Sequence, residues 1–259
     1  MTAWVFPDGK VEQCAIPDDI RGEARVARDV MIERLAEYND DLAEIWLDGG
    51  EIPERTIREV TRDCVIRNLF TPVFCGAAYR NMGIQPLLDA VADYLPSPLN
   101  KGAVTGHDLA DATRPHRRHP TTNDPFSGLA FKVINDPYVG QQTFVRTYSG
   151  TLHAGDTVLN ATTGKKERVS RILRIQAKDR VEVNEVGPGD IVALIGLKST
   201  WTGHTLCDRE APLLLESVLV PEPVISVKVA GKGSKEKEKL HKALRRMALY
   251  FGVVPIHMD

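Results

Sequence analysis

The 259-residue sequence contains no run of about 18 apolar residues, so no helix in it is predicted to span a bilayer. Its opening stretch, Met1 to Asp8, lacks the basic segment and long apolar run of a secretory signal. Cysteine is scarce. Cys14, Cys64, Cys75 and Cys207 make no C-x-x-C pair and are too few for a disulfide framework, which points to a reducing, cytoplasmic compartment. Several motifs are missing as well. There is no G-x-x-x-x-G-K-[ST], so no loop here cradles the β- and γ-phosphates of a nucleotide with a lysine in reach. There is no Asn-Lys-x-Asp, H-E-x-x-H, G-x-S-x-G or G-x-G-x-x-G. Asp19-Ile20-Arg21-Gly22 fits D-x-x-G, but no phosphate loop precedes it. The acidic residues near 40–54 fall on a solvated helix face rather than in an apolar cleft that would raise a carboxyl pKa, so the sequence shows no self-contained active site.

What is present is ordinary globular composition, 42% apolar and 26% charged, at a length that suggests two domains. The net charge of −2 hides an asymmetry. Residues 1–100 carry 10 basic and 18 acidic side chains, whereas residues 101–259 carry 23 and 17. Such a sign change implies either separate partners, the basic part facing a polyanion such as RNA, or two differently solvated surfaces.

Periodicity divides the chain further. Ala27, Met31, Leu35, Tyr38, Leu42 and Ile45 recur at helical steps, predicting one helix that stops at Asp48-Gly49-Gly50. A second helix is predicted from Pro53, with Ile57, Val60, Cys64 and Val65 as its stripe. Phe70–Cys75 reads as a short buried strand. The helix after Gly83 is expected to turn Leu87, Leu88, Val91 and Leu95 inward until Pro96 and Pro98 end it. Strand, loop and helix in that order mark an α/β unit.

Residues 99–125 read as an exposed connection. Its Arg114, Arg117 and Arg118 surround His116 and His119, and a basic loop fits them better than a metal site. From Ser127 to Glu216 the period becomes two. Leu129, Phe131 and Val133 alternate with Gly128, Ala130 and Lys132, and β-branched segments follow at 143–148, 156–160, 167–175, 181–186 and 190–196. Many short strands between glycine turns predict a closed all-β barrel. Lys165, Lys166, Arg168, Arg171 and Arg174 fall on one predicted hairpin, though alternation keeps them from all sharing a surface. A strand at Pro221–Val229 and a basic helix from Ser234 to Ala248, with Leu240, Leu244 and Met247 on one side, read as the start of a third domain.

The stretch Val73-Phe74-Cys75-Gly76-Ala77-Ala78-Tyr79-Arg80-Asn81-Met82-Gly83-Ile84-Gln85-Pro86-Leu87-Leu88-Asp89-Ala90 resembles one in elongation factor G, a family of translational GTPases. Asp93–Pro98, Asp124–Ser127, Ala130–Lys132, Asp136–Gly140, Tyr148–Leu152, Gly155–Asn160, Gly189–Ala193, Thr205–Asp208 and Pro221–Ser226 continue the resemblance in order. It covers roughly residues 1–248.

The resemblance implies a multi-domain α/β plus all-β chain. Residues 1–69 would be a G-prime-like helical insert, and 70–98 the last strand and helix of a GTP-binding domain. A linker at 99–125 would lead to a domain II barrel at 126–216, the β-α start of a ferredoxin-like domain III at 217–248, and a divergent tail at 249–259.

Cys75, Gly76, Ala77 and Ala78 would form the guanine-contacting loop, with Ala77 where the family usually has Ser. Lys165, Lys166, Arg168 and Arg171 would contact the ribosome. The family uses GTP and magnesium to drive ribosomal translocation. Its phosphate loop, switch regions and Asn-Lys-x-Asp signature lie upstream of the matched region, so this chain alone is expected to use no cofactor and to hydrolyse nothing. Implied partners are small-subunit ribosomal RNA through domain II and stalk proteins through the insert. A monomer without membrane contact is expected. The alternatives are a ribosomal protection or release-factor type of translational GTPase, or a non-catalytic RNA- or ribosome-binding β-barrel. Because residues 1–98 show no sheet for their strand and helix to pack on, limited proteolysis is expected to cut within them before the barrel region; survival of 1–98 with a fragmented barrel reverses that ranking.

Overall fold

A computed structural model describes residues 1–109, 111, 113–136, 140–216, 229 and 233–251. The chain divides into two compact units, Met1–Asn100 and Lys101–Asp259, each with its own apolar core.

The first unit opens on a hairpin of β1 (Ala3–Val5) and β2 (Glu12–Cys14). Helices α1 (Asp18–Ala36), α2 (Asp40–Leu47), α3 (Glu54–Ile66) and α4 (Ile84–Tyr94) follow, and the four-residue α5 (Pro98–Lys101) straddles the boundary. Asp18 and Asp19 in the first turn of α1 and Arg34 in its last complement the helix dipole.

The single helix expected through Ile45 is two. Asn39 takes an extended backbone, and its Oδ1 accepts the Leu42 amide at 2.9 Å, capping α2. The buried face also differs from the expected stripe, already within α1. Ile32, Leu35 and Leu42 are buried, whereas Ala27, Met31 and Tyr38, expected on the same face, are exposed. α2 does end just before Asp48-Gly49-Gly50, with Gly49 in the left-handed region.

α3 starts after Pro53 as expected and buries Val60 and Cys64 against Ile32, Leu35, Leu42 and Ile52. Arg58 reaches Asp93 at 2.9 Å, and Arg62 donates to the Asp93 carbonyl, clasping α3 to α4.

Two expectations fail here for one reason. Phe70–Cys75 forms no strand, and Val73 and Phe74 are exposed. α4 buries only Ala90, leaving Leu87, Leu88, Val91 and Leu95 exposed. A strand needs a neighbour to take up its backbone groups, and no strand pairs with this segment among the described residues.

In the second unit the supposed linker is structured. It carries β3 (Val104–His107) and β4 (Pro115–Arg118). The next strands are β5 (Ser127–Asp136), β6 (Gly140–Ser149), β7 (Leu152–His153), β8 (Thr157–Asn160), β9 (Lys165–Arg168) and β10 (Arg171–Gln176). Then come β11 (Asp179–Val183), β12 (Glu185–Val186), β13 (Ile191–Ile195), β14 (Thr205–Cys207) and β15 (Leu214–Leu215). β3 and β4 join β15 in a three-stranded sheet of order β15-β3-β4. The main sheet has eight strands in the order β11-β10-β13-β6-β5-β14-β8-β9, all paired antiparallel, and β7 pairs with β12 separately.

The expected segments at 143–148, 156–160 and 190–196 hold to within a few residues. The one at 167–175 is split by Val169 and Ser170 into β9 and β10. The alternation in β5 is also interrupted. Ala130 pairs with Val145 and Lys132 with Phe144, leaving Phe131 as the extra residue of a bulge. Ala130 is therefore fully buried and Phe131 is turned outward, opposite to a strict two-residue period. The core gathers Phe126, Ala130, Val145, Val158, Ile172, Leu194 and Leu206.

Most of the strand expected at Pro221–Val229 lies outside the described residues. α6 (Ser234–Phe251) starts where expected, runs three residues past Ala248, packs against β5 and half-buries Leu240 and Leu244. The side chain of Met247 and residues 252–259 of the expected tail are outside what is described.

Turn chemistry holds these strands in register. Asp156 and Asp190 each accept the backbone amide three residues earlier, from His153 at 2.8 Å and Gly187 at 3.0 Å. In the interior the Ser149 hydroxyl donates to the Pro125 carbonyl at 2.7 Å, so the Ser127 hydroxyl, also 2.7 Å away, donates to Ser149. The buried carboxylate of Glu167 accepts the amides of Lys198 and Ser199 and the Thr200 hydroxyl. Burial alone would raise its pKa; these hydrogen bonds outweigh that and hold it below the usual carboxylate value.

Gly150 sits at φ +70, and a Cβ there would lie 2.5 Å from the Phe126 nitrogen. Gly150→Ala is therefore expected to cost about 3 kcal/mol in denaturant unfolding. A folded pKa depressed at Glu167 stabilises fully above its unfolded pKa, with the gain lost as pH falls through the folded value. The stability gap between the parent chain and Glu167→Gln should close on acidification below about pH 4, read by urea unfolding across pH.

Candidate functional site

Cys75, Gly76, Ala77 and Ala78 are brought together in a tight exposed loop. The Ala77 amide donates to the Met82 carbonyl at 2.9 Å, and the Met82 amide returns a bond to Ala77 at 3.2 Å. Between them, Ala78–Arg80 make a 3-10 turn that ends on Asn81 in the left-handed region. The loop base depends on two glycines. Gly83 has φ +76, and a Cβ on it would meet the Cys75 carbonyl at 2.9 Å and the Gly76 Cα at 3.1 Å. Closure leaves the Ala78 amide at the head of the turn, where no earlier carbonyl of that turn can accept it. Cys75 is exposed, while burial raises the thiol pKa of Cys64 and Cys207.

Acidic side chains ring the helices of the same unit. Asp18, Asp19, Glu33, Asp40, Asp41 and Glu44 are exposed. This agrees with the solvated face expected of the acids near 40–54, and Asp18 pairs with Arg21 at 2.5 Å.

The basic residues of the second unit do not form the hairpin expected of them. Lys165, Lys166 and Arg168 lie on β9, which pairs with β8. Arg171 and Arg174 lie on β10, which pairs with β11 and β13, at the other side of the sheet order. The two-residue break at Val169 and Ser170 turns the chain from one partner to another instead of folding it back. Arg171 faces Glu182 at 3.9 Å and Arg174 faces Asp190 at 3.3 Å. Lys165, Lys166 and Arg168 are exposed and have no carboxylate partner among the described residues.

Beside them lies a polar cluster that the sequence reading did not single out. The Asn160 amide nitrogen reaches Thr200 Oγ1 at 3.1 Å and His204 Nδ1 at 3.1 Å, and the Trp201 amide also donates to His204 Nδ1. A ring nitrogen accepting from both is unprotonated, and burial lowers the His204 pKa in agreement. The cue in the sequence was a lone Glu between two cations in a β-segment, Lys166-Glu167-Arg168. His116 meets Asp108 at 3.4 Å, and no cluster of three or more His, Cys, Asp or Glu able to hold a metal occurs among the described residues.

Residues 125–209 match the family model described as elongation factor G domain 2. The elongation factor G of Thermotoga maritima is 48% identical over 257 residues, which is 99% of this chain and 37% of that protein. Elongation factor G of Thermotoga petrophila is 47% identical over the same length and shares. This chain thus spans little more than a third of the curated relatives it matches. A crystal structure of a Thermus thermophilus protein superposes with a TM-score of 0.76 at 24% identity, covering 97% of this chain and 35% of that one, a likeness of fold. The chain therefore belongs with elongation factor G, as a homologue along nearly its whole length that carries the factor's second domain at residues 125–209.

Proposed function

We propose that this chain supplies ribosome-binding parts of an elongation factor G and hydrolyses no GTP by itself. In this reading the intact factor uses GTP and magnesium in the cytoplasm to drive translocation of tRNA and mRNA. Residues 1–69 act as the G-prime insert, and 70–98 end the GTP-binding domain. Residues 126–216 close into the domain II barrel, 217–248 begin the ferredoxin-like domain III, and 249–259 are a divergent tail. The segment 99–125, which holds β3 and β4, belongs with domain II rather than with a free linker. Collinear identity of 48% over 257 residues carries this reading. The sister translational GTPases are not favoured, since the relatives above are named elongation factor G.

Four features of the chain support the division of labour. The Cys75–Ala78 loop has the open geometry of a base-contacting loop, but the sequence holds no phosphate loop and no Asn-Lys-x-Asp. Triphosphate and magnesium therefore fall to parts of the longer relatives that this chain does not match. The exposed carboxylates of α1 and α2 suit basic stalk proteins. Lys165, Lys166 and Arg168 suit the phosphates of small-subunit RNA, with Arg171 contributing less because Glu182 faces it. The exposed apolar side of α4 and of residues 70–76 suits the remaining sheet of the GTP-binding domain.

The test has two arms. Calorimetry with GTP and magnesium is expected to show no tight binding, and sedimentation with small ribosomal subunits is expected to show binding that falls steeply with salt. A magnesium-dependent nanomolar GTP affinity, or no subunit binding at low salt, overturns the proposal.

A further inference from the structure

The cations expected to meet RNA phosphates stand around a carboxylate that pairs with none of them. Glu167 is buried, with an inward-facing side chain between the outward Lys166 and Arg168. Its Oε2 accepts the amides of Lys198 at 2.5 Å and Ser199 at 2.7 Å. Its Oε1 accepts the Thr200 hydroxyl at 2.5 Å, with the Asn160 amide 3.5 Å away. All four donors are neutral. A buried carboxylate is costly unless hydrogen-bonded, and here backbone and side-chain dipoles meet that demand. No lysine is consumed in doing so. Lys165, two residues earlier on the same side of β9, and Lys198, whose amide Glu167 holds, are exposed and have no carboxylate partner among the described residues.

Resting on the RNA-facing reading of β9, we infer that Glu167 is the positioning residue that fixes the segment Lys198–Thr200 against β9, so that Lys165 and Lys198 bind nucleic-acid phosphate as one preformed pair. Two lysines on a strand and on an unanchored loop would each lose conformational freedom on binding; a loop held by three short hydrogen bonds has already lost it. The carboxylate acts through hydrogen-bond geometry and not through its charge, since its negative sign by itself opposes an approaching phosphate. Glutamine can keep the geometry. Its carbonyl oxygen can take both backbone amides while its NH2 donates to Thr200 Oγ1.

Binding of the whole chain to bacterial small ribosomal subunits, measured across salt concentration, tests this. The double variant Lys165→Ala/Lys198→Ala is expected to weaken binding and to lower the slope of log affinity against log salt by about 2. Glu167→Ala is expected to weaken affinity while both lysines remain, Thr200→Val to do so in part, and Glu167→Gln to restore it. Thr200→Val removes a single donor and carries the test if Glu167→Ala does not fold. Parent-like binding by Glu167→Ala or Thr200→Val, beside a weakened lysine variant, overturns the positioning role and leaves the RNA-facing surface standing. Failure of Glu167→Gln to restore binding overturns it as well. A lysine variant that binds like the parent removes the RNA-facing reading of this strand together with the inference built on it.

Discussion

β6 is held on both sides, paired with β5 across nine positions and with β13 across five, and its inward residues Thr143, Val145, Thr147 and Ser149 are all buried. Every other strand of the main sheet takes its place from this doubly paired strand. Its neighbours fix the register of β14 and β10, and these in turn fix β8, β9 and β11. A central antiparallel strand with one buried face tolerates no slip, because a shift of one residue would turn Thr143 through Ser149 outward. The surface loops can therefore vary their chemistry while their roots stay put. The Asp156 and Asp190 turns and the Glu167 cluster are local solutions grown on that frame.

The first unit has no such frame. Its helices bury a compact set around Ile32, Leu42 and Cys64 and satisfy their own backbones. Beyond that set, a row of large apolar side chains on α4 and on the extended segment before it faces solvent. Those residues have the composition of an interior and the exposure of a surface. A globular chain rarely shows so contiguous an apolar face unless something else covers it. The same physics explains why the loop at Cys75–Ala78 keeps its shape: Gly76 against Gly83 and the paired bonds of Ala77 and Met82 are local, and need no sheet beneath them.

This contrast also sorts what could be read from the sequence. The helix start at Pro53, the stop at Gly49, the Gly-Asp turns and the β-rich middle were legible because short-range chemistry decides them. The break at Asn39 was hidden because the apolar spacing runs through it without a gap, and only the capping bond shows that a new helix starts. Phe131 was misplaced because a bulge adds a residue without changing composition. β3 and β4 were missed because their side chains do not alternate, and because β3 takes its second partner, β15, from about a hundred residues away. The Phe70–Cys75 strand was over-read: its sequence favours a strand, but pairing is a property of neighbours.

The candidate surface shows the same division. Types and positions of the basic residues were plain in the sequence, but their grouping was not, because Val169 and Ser170 pass the chain between two strands that never pair with each other. The amides of those two residues go to the Asp156 and Ile195 carbonyls respectively, so each flanking strand is committed to a different neighbour. With Arg171 and Arg174 facing acids and Lys165, Lys166 and Arg168 without a carboxylate partner among the described residues, β9 differs from β10 in keeping its cations unpaired. A screened surface ion pair adds little to stability but does reduce the field a distant phosphate would feel. Lys165, Lys166 and Arg168 therefore keep fields that no neighbouring carboxylate screens by direct pairing, and Glu167 sits among them without binding any of them because neutral donors fill its hydrogen-bonding sites.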